Sequence, residues 1–188
     1  MTDDQQLLAK AKEFDPAALQ TFHQRFYGLV RHYIQFKVGD IHTVEDLTEE
    51  VFVRALEGLK QDKAWRDSPK GWIMGIARNV VAGYYRQRAG KSEVALDEQL
   101  SSTEEFDPVH QAALNERKRL LRQAIQELTD EQRDVILMRF MEGINIAGVA
   151  KAIDKSPGAV KTLQHRALRI LAKKMGNLSP EKIDYADE

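Results

Sequence analysis

The residues best suited to chemistry in this chain are basic and aromatic side chains on one stretch, Gly71–Arg88, "GWIMGIARNVVAGYYRQR". The stretch has no acidic residue, although the whole chain carries a net charge of −1. Arginines hold a phosphate backbone, and aromatic rings stack on unpaired bases at about 1–3 kcal/mol per base. A helical wheel predicts an inward-facing Tyr84, Trp72 at the edge of the apolar sector, and a polar side with Arg78, Asn79, Tyr85, Arg86 and Arg88. The pattern favours a surface for single-stranded or melted nucleic acid.

A second stretch without carboxylates covers residues 155–174. "INIAGVAKAI" predicts a short helix, and "DKSP" a turn in which Ser156 caps the next helix. Helix, tight turn and longer helix is the helix-turn-helix pattern, whose second helix enters the DNA major groove. One side of that helix offers donors to phosphates and base edges: Lys161, Thr162, His165, Arg166, Arg169 and Lys173. A basic amphipathic helix that only packs on its own domain fits the same pattern.

An acidic helix is predicted from about Val44 to Leu59. Its apolar side would pack inward. The opposite side carries Val53 among carboxylates, namely Asp46, Glu49, Glu50 and Glu57. This side is either a solvated face or a docking surface for a basic partner.

Residues typical of enzymes are scattered or missing. The histidines form no His-x₃-His pair and no HExxH motif, and no glycine-rich phosphate loop occurs. The chain contains no cysteine, which excludes disulfides, thiol catalysis and thiolate zinc sites and favours a reducing cytoplasm. No apolar run approaches 18 residues, so no membrane insertion is expected. We therefore expect neither catalytic residues nor a metal nor a cofactor.

Helical periodicity dominates and predicts an all-α fold of two small helical domains joined by a flexible linker. Asp15-Pro16 predicts a helix start, and Thr129–Gln132 predicts a capping box. Residues 93–112 are rich in Ser, Asp and Glu and lose the periodicity, as a linker does. The expected organisation is a domain at 1–92, the linker at 93–112, a helix-turn-helix domain at 113–175 and a tail at 176–188.

Three segments together resemble one family, the bacterial RNA polymerase sigma factors of the extracytoplasmic-function type. "VEDLTEEVFVRAL" (Val44–Leu56) looks like that family's polymerase-binding helix. "GWIMGIARNVVAGYYRQR" looks like its promoter-melting and −10-reading segment, and Glu127–Leu168 looks like its −35-reading domain. The segments stand in the family's order, so residues 1–92 resemble sigma region 2 and residues 113–175 resemble sigma region 4.

The resemblance implies roles for particular residues. Polymerase binding would fall to Asp46, Glu49, Glu50, Phe52, Val53 and Arg54. Binding of the −10 element would fall to Trp72, Arg78, Asn79, Tyr85, Arg86 and Arg88. Binding of the −35 element would fall to Ser156, Lys161, Thr162, His165, Arg166 and Arg169. The implied partners are core RNA polymerase, through the clamp helices of its largest subunit and its flap, promoter DNA and an anti-sigma factor.

The alternative interpretation is a helix-turn-helix transcriptional regulator that acts without polymerase. It would explain the helix-turn-helix but neither the 71–91 basic stretch nor the acidic helix. Two departures from the family pattern, Asp154-Lys155 in place of Gly-Ile and Leu163-Gln164 in place of a basic residue and leucine, leave the −35 sequence open. The free chain is expected to be compact or masked, and polymerase would separate its two domains.

Overall fold

The computed structural model describes residues 2–64, 68–88 and 119–175. The helices run in the order α1 (Asp3–Lys12), α2 (Pro16–Lys37), α3 (Ile41–Lys60), α4 (Pro69–Arg88), α5 (119–126), α6 (Asp130–Ile136), α7 (Ile146–Ala152) and α8 (Pro157–Met175). Within these ranges no residue is in a strand, which confirms the all-α prediction. The predicted linker and tail lie outside the described residues.

Side-chain caps fix where several of these helices begin. Asp15 accepts the N–H of Ala18 at 2.8 Å with Pro16 as the first helical residue, as the sequence predicted. The predicted capping box between Thr129 and Gln132 is also present. Each such cap stabilises a helix by about 1 kcal/mol. The same type of cap begins α1, a helix that the sequence analysis did not recognise.

The N-terminal half, α1–α4, packs around large apolar side chains that are almost fully buried, including Phe26, Tyr33, Ile73 and Met74. In the C-terminal half, α5–α8, a separate cluster joins α5, α6 and α8 through Ile125, Leu128, Ile136, Ala167 and Leu171. α6 continues into a π-helical turn, Leu137–Met141, which is followed two residues later by Gly143 with φ of 63°. Burial of these apolar faces is the main favourable contribution to folding.

The turn of the helix-turn-helix is closed by backbone hydrogen bonds. Lys155 N–H donates to the Ala150 carbonyl at 2.9 Å, and Asp154 N–H donates to the Lys151 carbonyl at 3.3 Å. This is the Schellman arrangement, which places one residue in the left-handed region. Asp154 occupies that position with φ of 55°, so it takes the backbone conformation for which glycine is usual.

The two halves pack directly on each other, and α4 contacts α7 over the most extensive of these surfaces. Buried residues of both halves form one hydrophobic cluster. Two glycines meet at the crossing, because a Cβ on Gly71 would lie 2.8 Å from the Gly148 carbonyl oxygen and 3.0 Å from its Cα. Gly148 costs α7 about 1 kcal/mol of helix propensity relative to alanine. A Cβ on Gly148 would itself lie 2.5 Å from Ser68 Oγ, just before α4.

No helix in the described ranges is long and apolar enough to cross a membrane.

We predict that Gly71→Ala lowers the melting temperature, although alanine has the higher helix propensity. Its Cβ would overlap the backbone of Gly148 and force α4 away from α7. Gly83→Ala in the same helix is the matched control, since only the Arg86 side chain lies near it, at 3.8 Å. The control should gain about 1 kcal/mol. Circular-dichroism melting measures both, and equal gains in the two variants would contradict the close contact.

Candidate nucleic-acid and polymerase interfaces

Helix α8 presents the predicted −35 residues to solvent. Val160, Ala167 and Leu171 hold its apolar side in the core. Ser156 caps the helix by accepting the N–H of Ala159 at 3.2 Å. The opposite side is exposed and carries Ser156, Lys161, Thr162, His165, Arg166 and Arg169. The structure therefore brings all six predicted side chains to one open surface.

Arg139 holds α8 against the π-helical turn. Its Nε donates to Oε1 of the buried Gln164 at 3.2 Å, and its Nη1 donates to the Ile144 carbonyl at 2.8 Å. Gln164 is one of the residues at which the chain departs from the family pattern. Its amide is part of the internal support of the helix, so it does not face the exposed surface.

The acidic side of α3 has an apolar centre. Val53 is 55% exposed, and Leu56, one turn further along, is 43% exposed. Asp46 and Glu49 are exposed beside them, and Arg54 pairs with Glu50 at 2.6 Å. Leu56 was missed as a surface residue, although its i,i+3 spacing from Val53 was a usable signal. Exposed apolar side chains among carboxylates are suited to a partner that is both basic and apolar.

Phe52 lies on the inner side of α3. It is 7% exposed, and its ring packs on His23 at 4.4 Å between centroids and on Tyr27 at 6.2 Å. Phe52 therefore lies beneath the acidic surface, packed against α2.

The predicted −10 residues of α4 are distributed over different environments. Trp72 is buried, with its ring 6.3 Å from that of Phe22. Asn79, Arg86 and Arg88 are exposed. Arg88 lies over the Tyr84 ring at 5.3 Å, and Tyr84 is half-buried as the helical wheel predicted.

Arg78 faces the C-terminal half, whereas Tyr85 is 37% exposed and is bonded within the N-terminal half. Arg78 Nε lies 3.0 Å from Asp134 Oδ2 on α6. Tyr85 donates its hydroxyl hydrogen bond to the Lys37 carbonyl. Burial raises the pKa of Tyr85, and charges of Asp130 and Arg133 on α6 also act on it. One of the predicted DNA-contacting side chains, Arg78, is therefore held at the surface between the halves.

Asp134 is the centre of this surface. Its carboxylate is 3% exposed and accepts from Tyr33 Oη at 2.7 Å, from Lys37 Nζ at 2.6 Å and from Arg78 Nε. Burial and the Asp134 charge raise the pKa of Tyr33 well above its ordinary value. Tyr33 and Asp134 are 101 residues apart in the chain, so no local sequence pattern indicates their contact.

Glu142 follows the π-helical turn and is partly buried. Burial raises the pKa of its carboxyl to about 7, against an opposing effect of Lys70 at the start of α4. The folded chain thus holds this proton more tightly than the unfolded chain does. The carboxyl contributes stability that is fully present below about pH 4.5 and is lost as the pH rises through about 7.

We predict that Glu142→Gln raises the melting temperature more at pH 8 than at pH 5. Glutamine cannot ionise and so avoids the cost of a buried charge. Solvent screening limits the gain at pH 8 to about 1 kcal/mol, or about 2–4 °C. Melting curves of both proteins at the two pH values measure the difference, and a gain independent of pH would contradict the raised pKa.

Among the described residues no group of three His, Asp or Glu side chains could hold a metal ion.

Comparison with known proteins agrees with this geometry. The family model "Sigma-70 region 2" matches residues 19–90, and "Sigma-70, region 4" matches residues 118–171. The first match contains α3 and α4, and the second contains the helix-turn-helix.

Two curated relatives are similar over most of this chain. The ECF RNA polymerase sigma factor SigX of Bacillus subtilis is 33% identical over 169 residues, which cover 87% of this chain and 84% of SigX. The ECF RNA polymerase sigma factor BldN of Streptomyces coelicolor is 31% identical, over 89% of this chain and 64% of BldN. The chain thus spans somewhat less than two thirds of BldN.

A solved structure shares the fold. CnrH, determined in complex with the cytosolic domain of CnrY, superposes with a TM-score of 0.67 over 94% of this chain and 99% of that chain. The sequence identity is 20%, so this likeness concerns the fold alone.

Proposed function

The chain belongs to the ECF family of RNA polymerase sigma factors, and from this premise we propose that it binds core polymerase, recognises −35 and −10 promoter elements and helps to melt promoter DNA. The observation that carries the proposal is the pairing, on one chain, of an exposed basic recognition helix with an acidic, apolar-centred surface on α3. A regulator that acts without polymerase would have no use for the second surface.

The −35 element would be read by α8. Its exposed donors, Lys161, Thr162, His165, Arg166 and Arg169, suit base edges and phosphates of a duplex major groove. The hydroxyl of Ser156 caps the helix. This residue would therefore contact DNA at the N-terminal end of α8.

The −10 element would be bound along α4. Asn79, Arg86 and Arg88 are exposed and can contact a displaced strand without any movement of the C-terminal half. Tyr85 is exposed as well, and Arg78 would join them after the C-terminal half moves away. Trp72 would act from within the fold, because its buried ring sets the position of α4 on α3. Melting energy would come from stacking and phosphate contacts.

Polymerase would dock on the outer side of α3, through Asp46, Glu49, Glu50, Val53 and Arg54, with Phe52 beneath. The partner surface would be the clamp helices of the largest subunit, while the C-terminal domain would meet the flap. We place region 2 at 1–92, the linker at 93–112, region 4 at 113–175 and a tail at 176–188. The chain would act in the cytoplasm as an initiation factor and not as an enzyme, under the control of an anti-sigma factor.

We predict that Glu50→Lys strongly reduces holoenzyme formation. It reverses one charge on the docking surface and also breaks the ion pair with Arg54, whose exposed position makes it worth little to folding. Pull-down on purified core polymerase measures the loss, and unchanged melting shows that the chain still folds. Glu13→Lys, at the end of α1, is the control for the charge change. Equal holoenzyme yields for both variants would contradict the docking surface.

We predict that Arg169→Ala weakens binding of holoenzyme to the −35 duplex by about 1–3 kcal/mol. Arg169 is exposed on the donor-rich side of α8. Lys10→Ala on α1 removes the same charge at a distance and should have little effect. Fluorescence anisotropy with labelled promoter duplex gives both affinities. Wild-type affinity in the Arg169 variant would show that a different side of α8 faces DNA.

Run-off transcription on a genomic fragment library, with and without the protein, tests the function as a whole. New start sites that share two spaced elements are expected only when the protein and core polymerase are both present. Tight DNA binding by the protein alone, with no new transcript, would establish the polymerase-independent regulator instead.

A further inference from the structure

A group of hydrogen-bond donors on the N-terminal half, Tyr33, Lys37 and Arg78, surrounds one carboxylate of the C-terminal half. We propose that these donors form a binding site for a phosphate of promoter DNA, and that Asp134 occupies this site in the free chain as an internal competitor. The inference rests on the proposed function and deepens it, because it adds Tyr33 and Lys37 to the DNA-binding surface and gives that surface a built-in inhibitor.

The three donors all belong to the N-terminal half. Tyr33 and Lys37 are one turn apart on α2, and Lys37 Nζ lies 5.9 Å from the centroid of the Tyr33 ring. Arg78 projects from α4, which packs against α2. When the two halves separate, the donors therefore stay together.

The two cations of this site belong to the N-terminal half, and the carboxylates that pair with them belong to the C-terminal half. The ion pairs described for Lys37 are with Asp130 at 3.8 Å and Asp134 at 2.6 Å, and the one described for Arg78 is with Asp134. All these carboxylates lie on α6. Separation of the halves would expose two cations together with a phenol hydroxyl, and such a group attracts an anion.

A phosphodiester is chemically similar to the Asp134 carboxylate that these donors bind in the free chain. Carboxylate and phosphate both offer two oxygens to charged donors, and both form the short, strong hydrogen bonds that ammonium and guanidinium groups prefer. Asp134 accepts through Oδ1 from Tyr33 and Lys37 and through Oδ2 from Arg78, so both oxygens are used. On α4, Asn79 beside Arg78 and Arg86 two turns further on are also exposed.

The closed arrangement covers the two DNA surfaces unequally. Arg78 is held by Asp134, whereas the donor-rich side of α8 remains exposed. The free chain would thus offer its −35 helix to duplex DNA while withholding the phosphate site from the −10 region. Release of Asp134 becomes a condition for promoter opening.

The test measures binding of the full chain to a pre-melted promoter, taken from a start site mapped by run-off transcription, across a series of salt concentrations. Asp134→Asn keeps the shape but removes the competing charge, and should raise the affinity about tenfold. Gly71→Ala separates the halves by a steric route with the site intact, and should raise it as well. Affinity for −35 duplex alone should stay unchanged in both variants.

The double variant Asp134→Asn with Lys37→Gln tests the phosphate contact itself. It should reverse most of the gain and lower the slope of log affinity against log salt by about 0.7–0.9, the value for one lost phosphate contact. Lys60→Gln in the same background removes an equal charge from the end of α3 and should leave the slope unchanged. Circular dichroism confirms that each variant is folded.

Two results would overturn the inference. One is that neither Asp134→Asn nor Gly71→Ala raises the affinity for the pre-melted promoter. The other is that Lys37→Gln and Lys60→Gln change the salt slope equally. Failure of the proposed function is distinguishable, because the wild-type protein would then give no polymerase-dependent run-off transcript. Run-off activity together with either overturning result would leave the sigma function standing and refute only the phosphate site.

Discussion

One buried carboxylate connects the C-terminal half to three side chains of the N-terminal half. Asp134 is 3% exposed and lies within hydrogen-bond distance of donors on α2 and α4. Taking charges out of water costs several kcal/mol per ion, so such a contact is stable only while its hydrogen bonds are complete. Loss of either side would leave a buried charge without a partner. The contact is therefore well suited to a two-state element, either closed with every donor satisfied or open with water and DNA in place of the carboxylate.

The helices that meet beside Asp134 also pack with close steric fit. Gly71 allows α4 to approach α7 until a single added methyl group would overlap the backbone of Gly148. Gly148 lowers the helix propensity of α7, but a Cβ there would lie 2.5 Å from Ser68 Oγ and 2.8 Å from Ile144 Cγ2. Polar and steric complementarity thus act at the same surface. This surface covers Arg78 while α8 and the outer side of α3 remain open to DNA and polymerase.

The features that the sequence predicted correctly are local ones. Asp15, Thr129 and Ser156 begin helices through hydrogen bonds within three residues, and the exposed side of α8 follows from helical spacing. The burial of Phe52 and Trp72 was not predicted, because both lie near the edge of an apolar sector where neighbouring helices decide exposure. The contact of Tyr33 with Asp134 could not be predicted either. It joins residues far apart in the chain, and no local pattern indicates a partner for the Tyr33 hydroxyl.

The most direct test of the account is the distance between the two halves in solution. The chain has no native cysteine, so Lys10→Cys and Lys173→Cys accept a fluorophore pair without background labelling. Energy transfer between the labels should report a single short distance in the free protein and a longer one after core polymerase is added. An identical distance in both states would contradict a closed chain that opens on the polymerase.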